Sequence, residues 1–467
     1  MKKGTQLKEV VVLDTGQKGK AMVRHNGEVI WLEKVVPGDV VDLTVTSRQK
    51  RQNQARMDRL VQASEDRIRP FCRHFDHCGG CKWQNIAYSA QLRQKAKWVA
   101  DCFQRIGQLA FPEPMPIIGN TQQRHYRNKL DFACSSKRWL TPAEIAGDVH
   151  YDARAIGFHV SGHFDKVLNI EECHLMPAPM NAIRNGLRDF AREKGIPFYD
   201  PKVHEGFFRG LVLRCNQEGA WMVMVVVAYE ARQWLEAMTQ YLLAHFSGTI
   251  SSLFHVFNPK PNDALFDCEH RLIYGPGTIC ETVNGITLEL GPLSFAQTNT
   301  PQSEVLYREA IRLAAFGRED YVLDLYTGVG AIALQIAPHV GRVLGVETVP
   351  EAVEMARRNA RRNHLGHVRF ECAQVEKVLK PAYFERRGMP DVIVVDPPRS
   401  GIHPKVMKTI AESSVPKLLY ISCNPATQAR DIALLDGRYS IEAMQPVDMF
   451  PHTPHVENIA LLTRTNA

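Results

Sequence analysis

A cysteine and two carboxylates stand at the ends of apolar runs in the last part of the chain. Cys423 and Asp396 each follow a short apolar run, and Glu457 comes just before the closing one. Such runs are typical of buried strands. A thiolate can add to an electron-poor carbon, and a carboxylate can then remove a proton from the adduct. The pattern predicts covalent catalysis with Cys423 as nucleophile, whereas Glu457, judged alone, could equally be a surface residue.

The alternative for Cys423 is an inert core thiol, because an unpaired cysteine is among the most buried residue types. The residues around Cys423 favour a catalytic role. Asn424 and Pro425 follow it directly, and the motif Asp-Pro-Pro-Arg, residues 396–399, ends another apolar run. A nucleophilic cysteine needs a lowered pKa, and Arg399 is the candidate cation for lowering the pKa of Cys423.

A glycine-containing loop follows the apolar run 321–325. Gly328 and Gly330 lie in this loop, and Glu347 ends the next apolar run. Glycines allow a tight turn close to a ligand, and a carboxylate about twenty residues later can bind ribose hydroxyls. Ala333 stands where a dinucleotide site has its third glycine, and no phosphate-binding lysine follows. The loop predicts a nucleoside cofactor such as S-adenosylmethionine rather than NAD or ATP; the alternative is a Gly-rich turn in an unrelated α/β fold.

A second group of cysteines has the spacing of a metal site. Cys72, Cys78 and Cys81 form a C-x5-C-x2-C pattern, and Cys173 offers a fourth thiol. The chain has 11 cysteines at uneven spacing, which does not resemble a disulfide framework. Four thiolates suit either zinc or an iron–sulfur cubane, and the spacing does not choose between them.

The elements that must position these residues indicate an α/β protein of three domains. From about residue 300, strands and helices alternate, which predicts a doubly wound, Rossmann-like parallel sheet with ligands at the carboxyl ends of its strands. Short strands with glycine and proline between them predict a small antiparallel β-barrel of the oligonucleotide-binding type at the N-terminus. We place the barrel at residues 1–64, a central α+β domain at 65–290 and the Rossmann-like domain at 291–467.

The individual elements are predicted as follows. In the barrel the strands are 9–13, 21–24, 28–32 and 40–46. In the central domain they are a helix at 90–103 and strands at 211–214 and 221–227. In the last domain they are strands at 321–325, 342–346, 392–395, 417–421 and 459–463 and helices at 331–337 and 351–363.

Composition and charge narrow the class of protein. With 45% hydrophobic and 23% charged residues over 467 residues, the chain is typical of globular proteins. It has no apolar run long enough for a membrane span and no signal peptide, so we expect a cytoplasmic protein. The net charge is +7, and a basic cluster closes the first sixty residues: Arg48, Lys50, Arg51, Arg56 and Arg59. This cluster suits a polyanion, or it is simply a solvated face.

In these motifs the chain resembles the RNA uracil-5-methyltransferase family, and within it the branch that modifies 23S ribosomal RNA and carries an N-terminal TRAM domain and an iron–sulfur cluster. The matching segments are 294–299, 324–330, 396–399, 422–425 and 455–457. The resemblance implies that Cys423 attacks carbon C6 of the target uracil and that Glu457 removes the proton from C5. It further implies S-adenosylmethionine as methyl donor, contacted by the following residues: Gln297, Tyr326, Glu347 and Asp396.

The resemblance also implies a [4Fe-4S] cluster on Cys72, Cys78, Cys81 and Cys173, with the barrel as a TRAM-like domain. RNA is then the expected partner, preferably 23S ribosomal RNA, with transfer RNA as the alternative. A catalytically silent RNA-binding assembly factor is a second alternative, which the intact thiol, carboxylate and cofactor loop disfavour. We expect a monomer, because RNA binding needs no symmetry partner.

Overall fold

The computed structural model describes residues 1–16, 19–49, 52–147, 151–160 and 163–465. For Arg48, Gln49 and Phe164 it describes the backbone alone. Within these ranges the strands form sheets of six, eight and seven strands and one two-stranded hairpin. No helix in the described part of the chain is long and apolar enough to cross a membrane.

The first sheet is built by the N-terminal strands in the order β1-β5-β6-β4-β3-β2. These strands are β1 (Gln6–Val11), β2 (Asp14–Thr15), β3 (Ala21–His25), β4 (Glu28–Leu32), β5 (Val40–Gln49) and β6 (Gln52–Gln62). Alternate residues of β5, namely Val41, Leu43 and Val45, are fully buried in its core, as expected for a strand with one buried face. The sheet agrees with a small β-barrel domain. Because β4 and β6 pair in parallel, the expectation of a purely antiparallel barrel is wrong on this point.

Strand β6 has no counterpart among the predicted strands, because most of its side chains are polar and face solvent. It carries Arg56 and Arg59, which are exposed and pair with Asp58 and Asp42 at 3.2 and 3.0 Å. These two arginines are therefore the described part of the predicted basic cluster. Of the other members, Lys50 and Arg51 lie outside the described residues, and Arg48 has no described side chain.

The central part begins with a loop that carries three of the cysteines and leads into helix α1 (Tyr88–Cys102), followed by a π-helical turn (Phe103–Gly107). The eight-stranded sheet follows in the order β14-β13-β12-β11-β7-β9-β10-β8. Its strands are β7 (Lys129–Ser135), β8 (Arg138–Trp139), β9 (Ala155–Val160), β10 (His163–Asn169), β11 (Phe208–Cys215), β12 (Trp221–Val227), β13 (Ile250–Phe257) and β14 (Glu269–Tyr274). Its helices are α2 (Pro142–Ala146), α3 (Pro179–Glu193) and α4 (Arg232–Phe246).

Strand β12 lies between two hydrophobic cores. Val223 and Val225 pack with α3 and α4, whereas Met222, Met224 and Val226 belong to a core that continues into the C-terminal sheet. Both faces of the strand are therefore buried, which explains why its sequence is apolar throughout. The central sheet and the C-terminal sheet share one core.

The C-terminal sheet has the strand order β19-β18-β17-β20-β21-β23-β22. Its strands are β17 (Tyr321–Leu325), β18 (Arg342–Glu347), β19 (Val368–Cys372), β20 (Val392–Val395), β21 (Lys417–Ser422), β22 (Tyr439–Val447) and β23 (Glu457–Arg464). Five strands are parallel, and β23 pairs antiparallel with both of its neighbours, β21 and β22. The predicted Rossmann-like sheet is confirmed, and Glu457 is the first residue of β23 rather than the residue before it.

Helices cover both faces of this sheet. A two-stranded hairpin comes before them in the chain. The helices are α5 (Thr300–Ala314), α6 (Ala331–Ile336), α7 (Pro350–Arg362), α8 (Val375–Val378), α9 (Pro381–Arg387), α10 (Pro404–Glu412) and α11 (Pro425–Ala433). The hairpin consists of β15 (Ile279–Val283) and β16 (Ile286–Leu290). Glu289 N donates to Asn359 Oδ1 of α7 at 2.7 Å, so the hairpin packs on a helix of the C-terminal part although the predicted boundary assigns it to the central domain.

Candidate active site and cysteine cluster

The loop after β17 is folded by three residues in the left-handed region of backbone space. Tyr326, Gly328 and Gly330 have φ values of +66°, +57° and +85°. At Gly330 a Cβ atom would also lie 2.9 Å from the Phe370 ring, so this position requires glycine. The Tyr326 and Thr327 amides donate to the Val346 carbonyl at 2.9 and 3.1 Å, which ties the loop to the end of β18.

Glu347 closes this loop from the neighbouring strand. Its carboxylate accepts hydrogen bonds from the backbone amides of Gly328, Thr348 and Val349 at 3.0, 2.6 and 3.0 Å. A carboxylate has about four acceptor positions, so these three bonds fix its orientation and leave capacity for a ligand hydroxyl. The Tyr326 hydroxyl, on the same loop, is buried without a hydrogen-bond partner in the described chain.

Three carboxyl groups converge at the carboxyl ends of the central strands. Asp324 and Glu457 are buried, and Asp396 is half-buried by exposed area yet densely surrounded by protein. Desolvation raises the pKa of Asp324 and of Asp396 to about 7, and the proximity of Asp396 adds to the rise for Asp324. Desolvation and then Asp396 raise the pKa of Glu457 well above its usual range, while Arg399 lowers it. The three groups therefore favour protonation until a cation approaches.

Tyr307 of α5 lies among the same carboxyl groups. It is buried, and its pKa is raised first by desolvation and then by Asp396, Glu457 and Asp324. The Oε2 atom of Glu457 is buried and has no hydrogen-bond partner among the described residues. A buried polar atom without a partner is costly, so this oxygen is a candidate contact for a ligand.

Cys423 lies directly after β21 on the wall of a cleft of about 190 Å³. Burial, followed by Glu457 and Asp396, raises the pKa of Cys423 to about 12, and Arg399 lowers it. Arg399 thus acts on the thiol in the predicted direction, but burial and two carboxyl groups outweigh one exposed guanidinium. The thiol, Glu457, Asp396 and Arg399 nevertheless act on one another electrostatically, so the structure brings the predicted catalytic residues together.

Gln297 is half-buried in the segment between β16 and α5. Its backbone carbonyl accepts a hydrogen bond from Asn128 Nδ2 at 3.1 Å. Two residues later, Asn299 Nδ2 donates to the Met449 carbonyl at 2.8 Å, so this segment borders the loop that leads to Glu457. No contact of the Gln297 side chain assigns it a role.

Helix α1 holds the loop between β22 and β23, which the sequence did not predict. Lys95 and Asp448 are both fully buried and form an ion pair of 2.6 Å. Lys95 Nζ also donates to the Phe450 carbonyl at 3.0 Å, and the Tyr88 hydroxyl donates to Asp448 Oδ2 at 2.7 Å. A lysine in an amphipathic helix is usually a surface residue, so little in the sequence indicated that Lys95 is buried.

A second pair of contacts links the same loop to α1 and to the cysteine segment. His452 N donates to Gln91 Oε1 at 2.8 Å. The backbone amides of Lys82 and Trp83, next to Cys81, both donate to the His452 carbonyl at 3.0 Å. The cysteine segment is thereby attached to the loop that carries Glu457.

The four predicted metal ligands lie around one small cavity of about 30 Å³, lined by Cys72, Cys78, Cys81 and Cys173 among others. Burial and then the neighbouring thiols raise the pKa of Cys78 to about 12, with Cys173 and Cys72 acting on it. Within the described ranges, however, no group of three or more His, Cys, Asp or Glu side chains is arranged to hold a single metal ion. The four thiols therefore lie near one another but are not arranged to bind a single metal ion.

Comparison with known proteins gives consistent similarities. Residues 286–465 match the family model described as tRNA (Uracil-5-)-methyltransferase. The chain is 42% identical to an uncharacterized RNA methyltransferase of Bacteroides thetaiotaomicron, covering 95% of this chain and 99% of that protein. It is 41% identical to a similarly described protein of Porphyromonas gingivalis, covering 97% and 99%.

Among solved structures, the fold is similar to that of Pyrococcus abyssi tRNA (uracil-54, C5)-methyltransferase in complex with S-adenosyl-L-homocysteine. The TM-score is 0.74 and the sequence identity 28%, and the match covers 97% of this chain and 100% of that chain. The similarity therefore extends from the N-terminal sheet to the last strand.

Proposed function

The chain belongs to the tRNA (uracil-5-)-methyltransferase family, and from that premise we propose that it transfers a methyl group from S-adenosylmethionine to carbon C5 of a uridine in RNA. The observation that carries the proposal is the meeting of Cys423, Glu457 and Asp396 beside the β17 loop. Cys423 offers a nucleophile and Glu457 a base, and the β17 loop offers a nucleoside site.

The reaction follows from the chemistry of the pyrimidine ring. The Cys423 thiolate forms a bond to C6, and the electrons of the C5–C6 double bond move towards the C4 carbonyl, so that C5 becomes nucleophilic. Bound S-adenosylmethionine supplies an electrophilic methyl group, which C5 takes while the sulfur–methyl bond breaks. Glu457 then removes the C5 proton. The returning electrons restore the double bond and release the thiolate of Cys423.

The residues predicted to contact the methyl donor fit a cationic nucleoside. We propose that Glu347 binds the ribose hydroxyls with its remaining acceptor position, and that Tyr326, Gln297 and Asp396 line the rest of the site. Nearby carboxyl groups with raised pKa values are stabilised in their charged form by a cation. A sulfonium would supply this charge, whereas NAD and ATP would bring further negative charge.

Cys423 is expected to ionise with the same assistance. Burial, followed by Glu457 and Asp396, raises its pKa to about 12, and a positive charge nearby lowers the pKa of a thiol. Donor binding and thiol ionisation are therefore coupled in this proposal.

We propose that Cys72, Cys78, Cys81 and Cys173 hold a [4Fe-4S] cluster. The four thiols line one cavity, and in a cubane each cysteine ligates a different iron, so the sulfurs need not surround one point. Methyl transfer involves no electron transfer, so the proposed role of the cluster is structural. It would hold in place the segment whose backbone bonds to His452. Anaerobic purification should give about four irons and four sulfides per chain and a brown protein in wild type and Cys268→Ser. One zinc in a colourless protein would contradict it.

The RNA substrate is proposed as 23S ribosomal RNA, with transfer RNA as the second candidate. The cysteine motif and the barrel favour the first through the family resemblance. Transfer RNA is favoured by the similarity to the transfer-RNA enzyme of known structure. That match covers 97% of this chain, so the cysteine motif and the barrel both fall within the aligned length. The division into domains 1–64, 65–290 and 291–467, the monomeric state and the cytoplasmic location belong to the same proposal.

Methyl transfer from labelled S-adenosylmethionine tests the function directly. Wild-type protein should label 23S ribosomal RNA or transfer RNA from cells that lack the gene, with 5-methyluridine as product. Cys423→Ala should abolish labelling, and Cys268→Ala, a cysteine of similar exposure in the central part of the chain, should retain it. Labelling that survives Cys423→Ala would contradict covalent catalysis, and no labelling of any RNA by wild type would favour a silent RNA-binding factor.

A further inference from the structure

The cleft beside Cys423 is lined by parts of the chain that are distant in sequence. They are the end of β21 with the 396–399 turn, the 454–456 segment, the N-terminal segment, the cysteine segment and α1. Its lining residues are Thr15, Gly16, Trp83, Trp98, Arg399, Cys423, Asn424, Pro425, Pro454, His455 and Val456. Sites for drug-sized molecules start at about 300 Å³, so a cleft of about 190 Å³ suits groups of nucleobase size.

Trp98 is placed at this junction by the helix that carries it. On the same helix, Gln94 Oε1 accepts a hydrogen bond from Thr15 Oγ1 at 3.1 Å, and Lys97 pairs with Asp14 at 2.6 Å. Trp98 is four residues after Gln94 and three after Lys95, and such residues are neighbours on a helix surface. It therefore lies between the face that holds the N-terminal sheet and the face that holds the 448–456 loop.

The two tryptophans of the cleft differ in how much of the ring is available. Trp83 is 3% exposed, and its Nε1 donates to the Gly19 carbonyl at 3.4 Å, so it is part of the wall. Trp98 is half-buried, and its indole ring makes no hydrogen bond found among the described residues. An aromatic ring that is held by packing and still reaches a cleft is suited to stacking on a planar ligand.

Several cations lie near His455, on the wall of the cleft. Arg399, which also lines the cleft, is exposed. Desolvation lowers the pKa of His455, and four cations lower it further: Arg399, Lys95, Arg127 and Lys82. Such a field favours a phosphate-bearing ligand. An apolar peptide or lipid would gain nothing from it.

We propose that Trp98 is the stacking platform for the base adjacent to the target uridine, with Arg399 beside the connecting phosphate. This assignment rests on the proposed function. A target base that enters the Cys423 cleft must leave its stack, and its neighbour then loses a stacking partner. Trp98, on the wall of the same cleft, replaces that partner, so that the protein recovers part of the unstacking cost.

The test measures RNA affinity, so it does not require turnover. The probe is a synthetic RNA stem-loop with a single loop uridine, either intact or with an abasic nucleotide directly 5′ or 3′ of that uridine. Base–aromatic stacking corresponds to a loss of roughly 5- to 150-fold on removal of the ring. Trp98→Ala should weaken the Kd for intact RNA by this factor, and Trp98→Phe should recover most of it. Trp234→Ala, a half-buried tryptophan of α4 that packs on Phe207, should leave the Kd unchanged.

The abasic probes separate stacking from a structural effect. For one of them, wild type and Trp98→Ala should bind equally, because the base that would stack is missing. An unchanged Kd for Trp98→Ala with intact RNA overturns the proposal, and so does a loss that persists with both abasic probes. If wild type transfers no methyl group to any RNA but the Trp98 pattern holds, the proposed function fails while this site stands.

Discussion

At the scale of single residues, the active site is defined by carboxyl groups that resist ionisation. Asp324, Asp396 and Glu457 lie close together, and desolvation is the largest cause of the raised pKa of each. Cys423, beside them, is also held protonated. Burial therefore favours the neutral forms of these groups, and in the proposed mechanism a bound cation would favour their charged forms.

Replacement of the proposed base should stop the reaction after methyl transfer. In Glu457→Gln the thiol can still add to C6 and C5 can still take the methyl group, but the C5 proton stays in place. A general base contributes about 100- to 10,000-fold, so kcat should fall by that factor. A covalent protein–RNA species carrying labelled methyl should accumulate and be visible on a denaturing gel.

The matched control is Glu442→Gln, a residue of the neighbouring strand β22 whose carboxylate bonds to Ser440 and Thr463 at the surface. It should turn over like wild type without accumulating the adduct. Wild-type turnover by Glu457→Gln would remove Glu457 from the mechanism.

The pKa shifts predict that activity rises with pH. Asp396 has a raised pKa of about 7, and the pKa of Glu457 is raised well above its usual range by desolvation and by Asp396, so acidic pH favours the protonated form of both and removes the base. The Cys423 thiol acts in the same direction. Because kcat/KM reports the pKa values of the free enzyme, kcat/KM for S-adenosylmethionine should increase from pH 6 to about pH 9. A rate that is flat or falls over this interval would show that neither group must lose a proton.

At the scale of elements, the sequence predicted the strands that are buried on both faces most accurately. The runs 221–227, 321–325 and 392–395 are strands with those bounds, because a continuous apolar run between turns has few alternatives. Strand β6 was missed because its side chains are polar and mostly exposed. The function of α1 was missed as well, because its buried residues Gln91 and Lys95 are polar and satisfied by partners more than three hundred residues away.

The buried pair of α1 should be essential for the loop that ends at Glu457. Lys95→Met leaves Asp448 charged and buried without its partner, which costs about 3–5 kcal/mol. The free energy of unfolding, measured with denaturant, should fall by that amount. The double variant Lys95→Met/Asp448→Leu should recover most of it, since neither charge is then left alone.

Arg105→Met provides the comparison for an exposed ion pair next to the same helix. Arg105 is 71% exposed and contacts Asp101 at 3.2 Å, so its loss should cost less than about 1 kcal/mol. Equal destabilisation by Lys95→Met and Arg105→Met would contradict the importance assigned to the buried pair.

At the scale of the whole molecule, the N-terminal sheet has its own core, whereas the central and C-terminal sheets share one. Val23, Ile30 and Leu43 belong to a cluster of N-terminal residues, while Met224 and Leu306 lie in a common cluster. The sequence indicated three units but not this sharing, since a strand pattern shows that both faces are covered and not by what. Likewise, sequence spacing alone could not show that Cys173 lies beside Cys72 at one cavity.

This arrangement predicts two levels of stability. In native-state hydrogen exchange, amides of β3–β5 should exchange through an opening of lower free energy than amides of β12 and β17, which should share one value. Mass spectrometry of peptides from these strands, in increasing denaturant, gives the comparison. A common opening free energy for all three sheets would mean that the N-terminal sheet is not an independent unit, and different values for β12 and β17 would contradict the shared core.

The central claim, a bond between Cys423 and C6 of the target pyrimidine, is tested most directly by trapping. RNA carrying 5-fluorouridine at the methylated position has no C5 proton for Glu457 to remove, so the adduct cannot resolve after methyl transfer. With S-adenosylmethionine present, wild type should form a denaturant-resistant conjugate whose cross-linked peptide contains Cys423, and Cys423→Ala should form none. Absence of the conjugate, with RNA and donor binding verified in the same sample, would contradict the account.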